Sequence, residues 1–160
     1  MKVKELMSKK LITVDPDDKL DRVFFLFTME NIRHLPVVEK NKLVGILSDR
    51  DIKKTLVPKK NIIERRDGTT IQLSTSKVKS IMQRRTITIE PEKRAADAAA
   101  IMVKRKISVL PVTHKDKLVG IITATDILQA FVKMSNTLDG INRPEIIELM
   151  RDSGCSYISF

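Results

Sequence analysis

The chain has 160 residues, 42% of them hydrophobic and 31% charged, with a formal net charge of +10. That is enough apolar material for one or two small cores burying roughly 70% of the unfolded surface, which excludes a disordered chain. No uncharged apolar run approaches the roughly 18 residues that span a bilayer, and a single cysteine, Cys155, excludes a disulfide scaffold.

The N-terminal MKVKELM has no apolar signal-type core, so a reducing, cytoplasmic setting is expected, without membrane attachment. Two histidines and one cysteine, far apart, do not predict a metal site. By segment the net charge is about +3 for residues 1–56, +2 for 57–76, +6 for 77–131 and −1 for 132–160, so the basic excess is spread rather than gathered in a tail. Aromatic residues make up 4% and do not alternate with the basic ones, so the stacking platform of a single-strand binder is missing.

In chain order, Leu11 to Val14 reads as a short strand. Asp15-Pro16-Asp17-Asp18 reads as a helix start with a cap, a proline and first-turn acids. Leu20, Val23, Phe24 and Phe27 then fall at i, i+3, i+4 and i+7, and the Met and Phe positions of this helix are read as core. Leu35 to Glu39 and Leu43 to Leu47, joined by Lys40-Asn41-Lys42, predict an antiparallel hairpin. Ser48 caps a closing helix that ends before Pro58. Residues 59–76, with Lys59-Lys60, Arg65-Arg66 and the turn signal Asp67-Gly68, predict a polar linker or surface loop.

The same order then recurs. Laid over residues 77 to 131 at a constant offset of 75, residues 2 to 56 share about 19 identities in 55 positions, including KVK, LPV and KLVGI, which marks an internal duplication. In the second copy the helix face is Ala95, Ala98, Ala99 and Met102, and the hairpin is Leu110 to Thr113 with Leu118 to Ile122. Thr123 caps a closing helix running to about Met134. The predicted class is α/β (α+β), two β-α-β-β-α repeats over 1–58 and 77–134. Neither buries its sheet alone, so the two are expected to pack face to face about a pseudo-twofold axis.

This pattern resembles a tandem pair of cystathionine-β-synthase-type (CBS) domains, a Bateman module. The residues carrying the resemblance are Leu6, Met7, Thr13, Val14 and Pro16, the RHLPVV segment Arg33 to Val38, and GILSDRD, Gly45 to Asp51. In the second copy they are Ile81-Met82, Thr88 to Pro91, SVLPV from Ser108 to Val112, and GIITATD from Gly120 to Asp126. The match covers about 130 residues, and its duplication makes it specific.

The resemblance implies two adenosine-ligand sites. In the family, the hydroxyl of the Gly-hydrophobic-x-Ser/Thr-x-x-Asp motif and the adjoining helix N-terminus face phosphate, and the Asp accepts from the ribose hydroxyls. Carried over, these are Ser48 and Asp51, with Asp49 and Arg50 between them, and Thr123 and Asp126, with Ala124 and Thr125 between them. Thr13-Val14 and Thr88-Ile89 would offer backbone groups to the adenine edge, with Pro36-Val37 and Pro111-Val112 near the base. A helix N-terminus suits phosphate and a carboxylate suits a vicinal diol on general grounds. The same spacing is also an ordinary capping arrangement, and both readings stay open here. The copies differ beside this frame: Arg33, His34 and Arg50 stand where the second copy has Ser108, Val109 and Thr125. Arg50 could hold phosphate bidentately, which favours the Asp51 cleft for an anion. His34 is a candidate phosphate donor or a surface histidine, and His114 is expected to face solvent at a hairpin turn.

For the tail, residues 135–160, Asn142, Pro144 and Glu145 start a helix that Gly154 ends, and Cys155 to Phe160 alternates like a strand. A helix and strand there resemble a fragment of an ACT-type domain, as follows CBS pairs in acetoin-utilisation-type regulators. Cys155 is read as a structural thiol. The functional expectation is a non-catalytic regulator with no catalytic cofactor, sensing AMP, ADP or ATP. It is expected to act as a homodimer and to pass the signal to an unknown regulated protein. Sensing of S-adenosylmethionine or NAD and a basic module associated with nucleic acid are the alternatives.

Overall fold

The computed structural model describes residues 1–55, 62–64, 70–72 and 76–138. The first hairpin is β1 (His34–Glu39) against β2 (Lys42–Ser48), and the second is β5 (Val109–His114) against β6 (Lys117–Thr123). In both, the register slips at the same place, between Val37 and Val38 and between Val112 and Thr113. The turns are shorter than the three residues expected. Lys40 and Asn41 have φ of 48° and 63°, and Lys115 and Asp116 have 48° and 64°. Two consecutive left-handed residues form the tight turn whose twist matches the strands, and Asn or Asp tolerates that region best.

The helices are α1 (Val3–Leu6), α2 (Leu20–Met29), α3 (Asp49–Thr55), α4 (Ala95–Arg105) and α5 (Ala124–Leu138). Three local expectations need correction. The Asp15–Asp18 segment does not start α2, but closes a turn of its own. Asp15 N–H donates to Asp18 Oδ2 at 2.9 Å and Asp17 N–H to Asp15 Oδ1 at 2.9 Å. The Pro16 carbonyl accepts from Lys79 N–H at 2.9 Å, and Leu20 N–H donates to the Ser76 carbonyl at 2.9 Å. With both ends of the first helical bond spent on another segment, the helix begins at Leu20. The short strand at Leu11 to Val14 reduces to one parallel bridge between Val14 and Val37, as it does at Ile89 and Val112. On α2, Leu20, Val23 and Phe27 are buried, but Phe25 is 50% and Met29 80% exposed, on the outer face.

The linker also differs from a plain loop. It carries β3 (Ile62–Glu64) and β4 (Thr70–Gln72), paired antiparallel. The α5 helix runs past Met134 to Leu138. The tail helix and strand expected over residues 142–160, with Cys155, lie outside the described residues.

The two halves are joined by an exchange of arms. Ser8 bridges Ile121 and Gln83 bridges Ile46, while Lys2 bridges Arg94 and Lys77 bridges Lys19. At an offset of 75 each contact is the other with the repeats interchanged, which is the signature of a pseudo-twofold axis. One core therefore holds Leu20, Val23, Leu35, Leu47 and Ile52 of the first repeat with Val78 and Met82 of the second. The other holds Ala98, Met102, Leu110 and Ile122 with Val3, and packs Leu6 and Met7. Val3 and Val78 are both 0% exposed. Burying each arm in the opposite repeat supplies the apolar contact that a unit of this size lacks by itself.

Candidate ligand clefts

Each hairpin delivers its last strand residue straight into a helix, and the Ser/Thr and Asp residues meet there. Asp51 Oδ2 accepts from Ser48 N–H at 3.1 Å and from Ser48 Oγ at 2.6 Å, and Asp51 N–H donates to Ser48 Oγ at 3.3 Å. In the second copy, Asp126 Oδ2 accepts from Thr123 N–H and Oγ1, both at 2.7 Å, and Asp126 N–H donates to Thr123 Oγ1 at 3.3 Å. These are reciprocal caps with Asp in place of Glu. The bonds that each carboxylate accepts all fall on Oδ2, so the cap leaves Oδ1 of each half-buried carboxylate unused among the described residues. Capping and diol recognition are therefore compatible on one side chain.

Register brings the other candidates to these caps. His34 stands opposite Ser48 and Val109 opposite Thr123 across the ladders. Asp49 N–H donates to the Arg33 carbonyl at 3.1 Å, and Ala124 N–H to the Ser108 carbonyl at 2.9 Å. At the first cap, exposed Arg33 and Arg50 and half-buried His34 surround the helix start. Burial, and then the neighbouring Arg33 charge, push the His34 pKa below its ordinary value, against the pull of Asp49 and Asp51. Burial raises the Asp49 pKa, but the Lys53 ammonium at 2.9 Å outweighs it and the carboxyl ends below its usual value. At the second cap Ser108 is exposed, Val109 is buried, and Ala124 and Thr125 are half-buried, with no cation among them.

The remaining candidates divide between core and edge. Pro36, Val37 and Val112 are fully buried, and Val14, Ile89, Val109 and Pro111 are also buried. Val14 N–H already donates to the Pro36 carbonyl at 3.1 Å, and its carbonyl accepts from Val38 N–H at 2.9 Å. Ile89 repeats this with Pro111 and Thr113 at 3.1 and 3.0 Å, so only second lone pairs of these carbonyls remain for a ligand. Thr13 and Thr88 are exposed, and His114 is exposed at the end of β5. Thr88 lines a different cavity, of about 250 Å³, at the turn end of the hairpins with Lys42, Arg84, Thr86, Thr113 and Asp116. Of these the sequence reading singles out only Thr88; the signal that finds Thr86 and Thr113 is that they replace the apolar Leu11 and Val38 of the first copy. A second cavity, of about 290 Å³, is an apolar groove between α1, α4 and α5, with Leu6, Ala99, Ile127, Phe131 and Met134 on its walls.

A family model for the CBS domain matches residues 3–58 and again 78–133. The chain belongs to the CBS domain family. A CBS domain-containing protein of Dictyostelium discoideum is 34% identical over 134 residues, covering 82% of this chain and 92% of that one. Among solved structures, the CBS domain pair of protein MJ0100, in complex with 5′-methylthioadenosine and S-adenosyl-L-methionine, is 30% identical with a TM-score of 0.69. That match covers 84% of this chain and 98% of the other. A protein of Vibrio cholerae described as an acetoin utilization protein, AcuB, is 28% identical with a TM-score of 0.70, over 90% of this chain and 98% of its own. The CBS pair here has no group of three or more metal-ligating side chains among the described residues, and no described helix is long and apolar enough to cross a membrane.

Proposed function

We propose that this CBS pair is a non-catalytic, cytoplasmic regulatory module that senses adenosine-containing ligands at its two capped helix starts. The observation carrying the proposal is the matched pair of carboxylates. Asp51 and Asp126 are each held by the hydroxyl and N–H three residues earlier, with the second carboxylate oxygen left for a ribose diol. The complex of the 30% identical MJ0100 pair with two adenosine ligands supports that chemistry. At both caps the hydroxyl and carboxylate hold each other and the first turn of the helix, and the duplicated polar residues there are of binding type.

The first cleft, with Arg33, His34 and Arg50, is assigned an adenine nucleotide, AMP, ADP or ATP. The second, without cations, fits a sulfur-bearing adenosine, the thioether 5′-methylthioadenosine or the sulfonium S-adenosylmethionine. Output passes to a regulated protein or to assembly. The apolar groove on α4 and α5 is where a homodimer would form, because a second copy brings the same exposed Phe131 and Met134 to it.

The test is a calorimetric titration of the full chain with AMP, ATP, 5′-methylthioadenosine, S-adenosylmethionine, NAD and duplex DNA at two salt concentrations. Asp51→Ala is expected to abolish nucleotide binding and Asp126→Ala to abolish binding of 5′-methylthioadenosine and S-adenosylmethionine. Adenosine-ligand binding unchanged in both variants overturns the site assignment. Salt-sensitive DNA binding with no response to any adenosine ligand moves the function to the basic surface.

A further inference from the structure

The cavity at the turn end of the hairpins is built by a crossover. Gln83 is bridged to Ile46 on β2, and six residues later Ile89 is bridged to Val112 on β5, so residues 84–88 pass from one sheet to the other. Arg84, Thr86 and Thr88 of this crossover, Lys42 at the start of β2, and Thr113 and Asp116 of the second hairpin line the space. Ser48 and Thr123 lie at the far ends of β2 and β6, roughly 20 Å along each strand, so this is not part of either capped cleft.

We propose that this cavity binds a small phosphorylated sugar or polyol, its phosphate between Lys42 and Arg84 and its hydroxyls on Asp116 and the threonines. Four observations carry it. Two cations and three hydroxyls line the space. The Arg84 guanidinium is aimed by one bond, Nη2 to the Lys79 carbonyl at 3.1 Å, and retains further donors for an oxyanion. The Lys42, Thr88, Thr113 and Asp116 side chains make no hydrogen bond or ion pair among the described residues, while Thr86 Oγ1 donates to the Gln83 carbonyl at 3.4 Å and so presents an acceptor. Thr86 and Thr113 replace the apolar Leu11 and Val38 of the equivalent positions, and Asp116 brings a carboxylate where the first copy has the neutral Asn41. A carboxylate beside two cations would weaken a bare phosphate site, but it suits a ligand that joins a phosphate to donor hydroxyls. The volume of about 250 Å³ is of the size of a phosphorylated pentose.

The test is calorimetry of the full chain at low ionic strength with ribose 5-phosphate, inorganic phosphate and ribose as probes. Lys42, Arg84 and Asp116 are exposed, so their amide variants keep the fold. Ribose 5-phosphate is expected to bind once per chain, and Arg84→Gln or Lys42→Gln to weaken it roughly ten- to hundredfold, the loss of a charged hydrogen bond. Asp116→Asn should weaken ribose 5-phosphate while leaving inorganic phosphate unchanged or tighter. Binding should survive in the Asp51→Ala, Asp126→Ala double variant, which separates this site from the capped clefts. No binding of ribose 5-phosphate, binding indifferent to Arg84→Gln, or loss in the double variant overturns the proposal.

Discussion

The two repeats share a scaffold and differ in what they hang on it. The α2 helix packs Leu20, Val23, Phe24 and Phe27 into its core, where α4 packs Ala98 and Met102, with Ala95 buried and Ala99 on the apolar groove, yet both repeats carry a hairpin with the same register slip. Large side chains on α2, which lies against α3, and small ones on α4, which lies against α1, α5 and β5, are each matched to their own neighbours, so the two faces are free to differ. The crossing arms have no such freedom. The bridges at Ser8 and Gln83, the buried Val3 and Val78, and the methionines over Gly45 and Gly120 all come in matched pairs. Residues that join the halves have stayed alike, and residues at the cleft edges have diverged in charge.

The largest effect should come from the cores. Leu35→Ala and Leu110→Ala, equivalent and both 0% exposed, should each cost about 2–5 kcal/mol. Because each core contains the other repeat's arm, urea denaturation should show one transition shifted similarly by either change. Two separate transitions would break the picture of shared cores.

A smaller and more discriminating effect is expected at the glycines. An alanine methyl at Gly120 collides with the Met7 thioether, whereas at Gly45 it meets both Met82 Sδ and the Gln83 carbonyl oxygen at 3.0 Å. Each Gly→Ala change should cost about 1–3 kcal/mol. The halves should separate in double variants: Met7→Ala relieves Gly120→Ala, while Met82→Ala leaves Gly45→Ala pressed against backbone. Equal relief in both would contradict the tighter backbone approach at Gly45.

The smallest effect concerns acid. Lys77 and Lys79, each at 2.8 Å, hold the Asp17 carboxyl down to about 2. Lys2 and Lys4 do the same for Glu92, at 2.7 and 2.8 Å, also to about 2. Unfolded carboxyls titrate near about 4. A depressed folded value contributes stability above that pH, which is lost as pH falls towards 2. Melting curves from pH 5 to 2.5 should therefore decline less in Asp17→Asn and Glu92→Gln, modestly because the pairs are exposed, equally in both halves, and less in high salt.

Much of this was legible from residues. The alternation at Leu35, Val37 and Leu47 and the Ser48–Asp51 spacing are local signals, and hairpins and caps are local structures. Where the expected start of α2 failed, the cause was a contact from far along the chain. Asp15–Asp18 has every feature of a helix start, but the carbonyls and N–H groups that would close the first turn bond to residues 76–79 instead. Phe25 and Met29 have the composition of core residues, but they fall on the α2 face turned from the hairpin. At the candidate clefts, the Asp residues and their capping partners were visible in the sequence, whereas the half-burial that lowers the His34 pKa was not.

From the sequence alone came the duplication, the hairpins, the caps at Ser48 and Thr123 and the family, because each depends on periodicity or on partners within a few residues. Only the tertiary structure decided that the arms are exchanged and that residues 84–88 wall a polar cavity far from either cap. Those features rest on pairings between residues tens of positions apart. Their free energy comes from burying surfaces against each other, and no local pattern in the chain encodes it.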